Sequence, residues 1–127
     1  MTETGKRKDA ADIFLRAVND MLPDSAVKKA LSTGLPGSDM ILIGIGKASW
    51  TMAKAAAEEL GARIRGGAII TKYGHSRGPI PGIEIYEAGH PLPDIETLRA
   101  TERILEITGN LEAGQTVLFL VSGGGSS

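Results

Sequence analysis

Met40-Ile-Leu-Ile-Gly-Ile-Gly-Lys-Ala-Ser-Trp50 combines a strand, a turn and the start of a helix in one short stretch. Its first four residues form an isoleucine-rich apolar run, which is typical of a strand buried on both faces in a parallel sheet. Gly44 and Gly46 predict a tight turn, and the alanine-rich sequence from Lys47 onward predicts a helix. Free amide groups and the helix dipole should face this turn, so the stretch, with the charge of Lys47, predicts an anion-binding site.

The stretch matches neither of the two common nucleotide-binding motifs. Ser49 stands where a dinucleotide fingerprint has its third glycine, and the next strand is followed by Lys72 instead of a ribose-binding Asp or Glu. A Walker A loop would have Ser or Thr in place of Ala48. A purely structural alternative stays open, in which Gly44 and Gly46 allow close packing and Lys47 is a solvated lysine.

Composition limits the function classes that the chain can belong to. The 127 residues are 42% hydrophobic and 23% charged, which is typical of one globular domain with a real core. A net charge of −1 without charged blocks argues against a nucleic-acid or membrane partner. The absence of cysteine excludes disulfides, thiolate metal sites and cysteine nucleophiles. No apolar stretch follows the polar N-terminus, and we expect a cytoplasmic protein.

Helical and strand patterns alternate along the chain. Residues 1–8 are expected to form a flexible tail, and residues 9–127 the folded part. Helices are predicted at 9–22, 23–31, from 47 to about 60 and from 94 or 95 to about 108, and strands at 40–43, 67–71, 83–87 and 116–121. This order predicts an α/β fold with a mostly parallel sheet and helices on both faces, in αβα layers, with the third strand near an edge.

Each unusual loop of the chain follows a predicted strand. These loops are residues 44–49, 72–77, 89–94 and 122–127. Ligands bind beyond the carboxyl ends of the strands in parallel sheets, so we expect all four loops to meet at one crevice.

The second and third of these loops carry the chain's two histidines and several charged side chains. Lys72 and Arg77 are either ordinary surface cations or a pair that holds an anionic substrate. His90 is expected to orient backbone or substrate, and Asp94 to be a helix N-cap. A metal site formed by His75, His90 and Asp94 is disfavoured because the spacing is wide, and no metal ligand is predicted.

The last loop, Ser122-Gly-Gly-Gly-Ser-Ser127, can wrap an oxyanion or phosphate with backbone amides. It lacks the pattern of a hydrolase nucleophile elbow, and a flexible chain end remains the alternative. Because a glycine triplet after a buried strand normally leads into a helix, we expect the chain to be part of a longer protein that completes the site.

Four motifs, in this order, resemble those of class II glycerate kinases, the two-domain family with a C-terminal MOFRL domain. They are Gly44-Ile-Gly-Lys-Ala48, Thr71-Lys-Tyr-Gly-His75, Glu87-Ala-Gly-His-Pro-Leu-Pro-Asp94 and Leu118-Phe-Leu-Val-Ser-Gly-Gly-Gly-Ser-Ser127. The resemblance runs from about residue 9 to the end. It implies the first part of a Rossmann-like N-terminal domain, whose cleft a C-terminal domain completes.

The resemblance also implies an activity and the residues that carry it. The activity is ATP- and Mg²⁺-dependent phosphorylation of D-glycerate to 2-phosphoglycerate, for which the 127-residue chain alone should be inactive. The family's catalytic lysine falls on Lys47. The implied substrate- or phosphate-binding positions are Gly44, Gly46, Lys72, His75, His90, Asp94, Ser122, Gly123, Gly124, Gly125 and Ser126.

Two other interpretations stay open beside the kinase. An NADPH-dependent hydroxypyruvate reductase is compatible with the Gly44-x-Gly46 turn and with Lys72, which could meet a 2′-phosphate. A catalytically inactive α/β fragment, self-associating as a homo-oligomer through an unpartnered apolar face, is the other. The sequence leaves open which loop holds ATP and whether the product is the 2- or the 3-phosphate.

Overall fold

A computed structural model describes residues 3–35 and 37–123 of the chain. Its helices are α1 (Glu3–Met21), α2 (Pro23–Ser32), α3 (Ser49–Leu60) and α4 (Ile95–Gly109), and its strands are β1 (Met40–Ile45), β2 (Ile64–Lys72), β3 (Ile83–Ala88) and β4 (Thr116–Val121). A 3₁₀ turn, Gly61–Arg63, joins α3 to β2. The predicted elements are therefore confirmed, with shifts at several ends.

The four strands form one parallel sheet in the order β3-β2-β1-β4. The apolar runs of β1 and β2 occupy its centre, and Met40, Leu42, Ile43 and Ile69 are almost fully buried. Crossovers through α3 and α4 give a parallel arrangement because each helix returns the chain to the same end of the sheet. The predicted parallel α/β sheet is confirmed, and β3 lies at an edge as expected.

Helices cover both faces of this sheet. On one face, Leu42 and Ile69 pack with the alanines of α3 and with Val27 of α2. The small alanine side chains let α3 lie close to the strands, which buries Ala53 and Ala56 completely. On the opposite face α4 packs over β3 and β2. The predicted αβα layering is therefore confirmed.

Several predicted boundaries differ from the structure, among them the start of α1 and the end of β1. Helix α1 begins at Glu3, so the tail expected for residues 1–8 is wrong for residues 3–8, while Met1 and Thr2 lie outside the described residues. The helix packs chiefly on α2, and its apolar Phe14 and Met21 remain exposed. The second boundary is at β1, which continues to Ile45 because Gly44 takes part in the sheet. No helix of the described residues is long and apolar enough to cross a membrane.

Candidate active site

The turn between β1 and α3 depends on Gly46. This glycine has φ 114°, a backbone conformation that side-chain-bearing residues rarely adopt. A Cβ at Gly46 would also lie 2.7 Å from the carbonyl oxygen of Ser122 and closer still to its Oγ. The predicted turn at Gly44 is wrong, because Gly44 pairs with Ile69 and Leu120 within the sheet. Its lack of a side chain instead leaves room for Ile69, whose Cγ2 would be 2.8 Å from a Cβ.

The backbone amides of residues 46–49, which lead into α3, are already hydrogen-bonded within the chain. Lys47 N–H donates to the carbonyl of Gly123 at 3.0 Å, and Ala48 N–H donates to Ser122 Oγ at 3.0 Å. Ser49 N–H donates to the Gly46 carbonyl at 3.1 Å, and Gly46 N–H to the Ile70 carbonyl at 3.1 Å. The free amide groups expected at this turn are therefore absent from residues 46–49. The exposed side chain of Lys47 supplies a positive charge at this turn.

The carbonyl of Lys47 is held from the neighbouring strand. Thr71 Oγ1 donates to it at 3.2 Å, and His75 Nδ1 lies 3.1 Å from the same oxygen. A carbonyl only accepts, so His75 donates from Nδ1. His75 thus supports the backbone of Lys47 and is not among the residues that line the cleft below. Sequence reasoning gave no role to Thr71. The one available signal was a hydroxyl side chain at the end of a predicted strand.

A cleft of about 220 Å³ opens beside Lys47, between α4 and the carboxyl half of the sheet. Lys47, Lys72 and His90 contribute its basic groups, and Thr71, Thr97 and Thr101 also line it. The apolar walls are formed by Ile43, Ile45, Ile70, Ala88, Ile104 and Phe119. Partial burial lowers the pKa of His90, and the charges of Lys47, Lys72 and His75 lower it further. The cleft therefore concentrates positive charge, which suits an anionic ligand.

Asp94 has the structural role that its position predicted. It caps α4 in a capping box with Thr97, whose N–H donates to Asp94 Oδ1 at 3.1 Å. Tyr73 Oη donates to Asp94 Oδ2 at 2.7 Å. This bond, with the amides of Gly89 and Thr97, lowers the pKa of Asp94 to about 2, while the carboxylate raises the pKa of Tyr73 to about 12. The Asp94 carboxylate thereby ties the loop after β2 to the loop after β3.

The four loops expected to converge do so as far as they are described. The loop after β2 reaches the β1–α3 turn through His75 and also contacts the loop after β3 through Tyr73. The loop after β4 joins that turn through Ser122 and Gly123. Gly124, Gly125 and Ser126 lie outside the described residues. Among residues 3–35 and 37–123, no three His, Asp or Glu side chains are grouped to hold a metal ion.

Known proteins similar to this chain include two from Thermotoga maritima. A protein named D-glycerate 2-kinase is 52% identical over 95% of the chain. The crystal structure of a glycerate kinase, 51% identical, superposes on 98% of the chain with a TM-score of 0.88. A protein of Agrobacterium vitis with the provisional name hydroxypyruvate reductase is 38% identical over 91% of the chain. The resemblance to class II glycerate kinases is confirmed by the first two matches.

These similarities cover only part of each known protein. The chain spans 29% of the Thermotoga D-glycerate 2-kinase and 30% of the chain in the crystal structure. A family model described as a domain of unknown function (DUF4147) matches residues 9–127, which is nearly the whole chain, and the chain therefore belongs to this family.

Proposed function

We propose that this chain is part of a glycerate 2-kinase, which transfers the terminal phosphoryl group of ATP to D-glycerate and yields 2-phosphoglycerate. The observation that carries the proposal is the position of Lys47, which is exposed at the cleft beside Lys72 while its own backbone is fixed by hydrogen bonds. Similarity to a D-glycerate 2-kinase at 52% identity supports the same activity.

Phosphoryl transfer depends on positioning and on positive charge near the transferred group, and it needs no protein nucleophile. In our proposal Lys47 neutralises the charge that develops on the phosphate oxygens. Lys72 attracts the second anionic group, either a phosphate of ATP or the glycerate carboxylate. Ser122 Oγ accepts from Ala48 N–H and keeps its own hydrogen for a ligand oxygen.

Four more of the predicted positions support these three side chains. Gly44 and Gly46 let the turn approach β2 and Ser122 closely. His90 adds an imidazole to the rim of the cleft, and Asp94 holds two loops in place. ATP would supply the phosphoryl group, and Mg²⁺ would shield its phosphates. The described residues offer no cluster of ligands for Mg²⁺, so no step is assigned to it.

We also propose that the chain is one part of a longer, cytoplasmic enzyme. The chain spans under a third of its Thermotoga relatives, which supports a site completed by a C-terminal MOFRL domain. ATP is produced and used in the cytoplasm, where we place the enzyme. Neither a nucleic acid nor a membrane is part of the proposal.

The direct test is phosphorus NMR of the complete protein with ATP, Mg²⁺ and D-glycerate, beside the 127-residue chain. A new phosphoglycerate resonance is expected from the complete protein alone, and its chemical shift distinguishes the 2-phosphate from the 3-phosphate. Consumption of NADPH with hydroxypyruvate, without any phosphoglycerate, would instead establish a reductase.

Two lysine variants, one at Lys47 and one at Lys54, test the role of Lys47. Lys47→Ala should lower kcat by more than about tenfold, because it removes a positive charge that stabilises the transition state. Lys54→Ala is the matched control on the same helix, since Lys54 pairs at the surface with Glu58 at 4.0 Å. Near-unchanged turnover in a folded Lys47→Ala protein would remove Lys47 from catalysis.

A further inference from the structure

Thr71 is a buried polar residue at the carboxyl end of β2, only 3% exposed, to which the proposed function gives no role. Its hydroxyl donates to the carbonyl of Lys47 at 3.2 Å. The same carbonyl accepts from His75 Nδ1 at 3.1 Å. Two side chains from one strand and its following loop therefore converge on a single backbone oxygen.

These two contacts matter because Lys47 lies just outside α3. Ala48 is the N-cap of α3 and Ser49 its first residue, so the regular hydrogen bonds of the helix do not fix the peptide units on either side of Lys47. Its N–H is held by the Gly123 carbonyl, and its carbonyl by Thr71 and His75. The direction of the Lys47 side chain therefore depends on the two peptide units that flank it, which are held by these three bonds and by the bond from Ala48 N–H to Ser122 Oγ.

We propose that Thr71 is a positioning residue for Lys47, with His75 as a second support. This inference rests on the proposed phosphoryl transfer. The hydroxyl helps to hold the peptide unit that follows Lys47, and through it the direction in which the Lys47 side chain extends toward the transferred group. A displacement of about 1 Å in such a group can cost about 100-fold in rate, so one hydrogen bond to its backbone is enough to matter.

The matched set of variants is Thr71→Val, Thr71→Ser and Thr108→Val in the complete protein. Valine has the shape of threonine without the donor, and serine keeps the donor. Thr108 donates in the same way to a backbone carbonyl, that of Ile104 at 2.9 Å, but within α4 and away from Lys47. Phosphoglycerate formation from D-glycerate and ATP gives kcat and KM for each variant.

Thr71→Val should lower kcat about tenfold and leave KM within about twofold, because the lost interaction acts in the transition state. Thr71→Ser should keep kcat within about threefold of the wild-type value, and Thr108→Val should not lower it. In a Lys47→Ala background, Thr71→Val should have no further effect, since residues that act through one another are not additive. Unchanged kcat, a rise in KM alone, or a full effect without Lys47 would each overturn the proposal.

Two further measurements keep the proposal testable if Thr71→Val does not fold or the protein is not a glycerate kinase. His75→Ala changes an exposed residue and should lower kcat in the same way, again only when Lys47 is present. Mass spectrometry after brief labelling with an amine reagent gives the reactivity of Lys47 relative to Lys54, without any need for turnover. A change of more than about twofold in Thr71→Val, but not in Thr71→Ser, supports positioning of Lys47. Equal labelling in all variants refutes it, whatever reaction the protein catalyses.

Discussion

Gly46→Ala should destabilise the protein through two separate effects at the β1–α3 turn. The first is conformational, because Gly46 has φ 114°. The second is steric, because the new Cβ would lie 2.7 Å from the carbonyl oxygen of Ser122 and nearer still to its Oγ. Ser122 has to move away by about 1 Å to restore ordinary contact distances. That movement pulls Ser122 and Gly123 away from the turn.

The size of the effect follows from the contacts that are lost. Positive φ costs an alanine about 1–2 kcal/mol. The hydrogen bonds from Ala48 N–H to Ser122 Oγ and from Lys47 N–H to the Gly123 carbonyl are both 3.0 Å long. A shift of about 1 Å takes them beyond hydrogen-bonding distance, and each bond contributes about 1 kcal/mol. Gly46→Ala should therefore cost about 3–4 kcal/mol in the free energy of unfolding.

Gly114→Ala is the matched control, since Gly114 has φ 86° and nothing lies within 4 Å of a Cβ there. It should cost only the conformational part, about 1–2 kcal/mol. Urea unfolding of the complete protein gives the two losses, and hydrogen exchange of the Lys47 and Ala48 amides reports the opening directly. Equal losses for the two variants, with these amides still protected in Gly46→Ala, would refute the reasoning.

Two further predictions concern charge. The pKa of Asp94 falls from 3.8 to about 2 on folding, so its contribution to stability is present above about pH 4 and is lost as the pH falls toward 2. The pKa of Tyr73 rises from 10.0 to about 12, so its contribution is present below about pH 10 and is lost as the pH rises toward 12. Thermal unfolding of Tyr73→Phe should lose the alkaline dependence and part of the acid one; a pH profile like the wild type's would contradict the role of this bond. Separately, Lys72→Gln should raise the pKa of His90, because it removes one of the positive charges that lower it. An NMR titration of the His90 ring measures this, with Lys28→Gln as the control; equal His90 pKa values in both variants would contradict the shared cleft.

Much of the fold follows from local sequence patterns. The run Thr116–Val121 and the cap at Asp94 occur where the sequence predicts them, because an apolar strand and a capping box are short-range signals. The alternating order of elements was enough to predict a parallel sheet with β3 at its edge. The predicted turn at Gly44 failed because a glycine in a strand and a glycine in a turn look alike in sequence. The neighbouring Ile69 and Ser49, which the local sequence does not place there, explain why Gly44 has no side chain.

The site was harder to predict, because its main contacts join distant parts of the chain. Ala48 and Ser122 are 74 residues apart, and Lys47 and Thr71 are 24 apart. Local patterns identified Lys47 and the loops that would surround it. They could not reveal that the amides of Lys47 and Ala48 donate to Gly123 and Ser122. They also gave no reason to connect Thr71 or His75 with the carbonyl of Lys47.

The occupied amides bear on the choice between a kinase and a reductase. A dinucleotide-binding domain holds the pyrophosphate of its cofactor on the free amides of a glycine-rich turn at a helix N-terminus. Here the amides of Lys47 and Ala48 already donate to Gly123 and Ser122, so a pyrophosphate could bind them only by displacing the loop after β4. Phosphoryl transfer makes no such demand on the turn, because Lys47 and Lys72 supply charge from their side chains. The same two hydrogen bonds that occupy the amides of Lys47 and Ala48 therefore favour the kinase, since they anchor the backbone from which Lys47 extends.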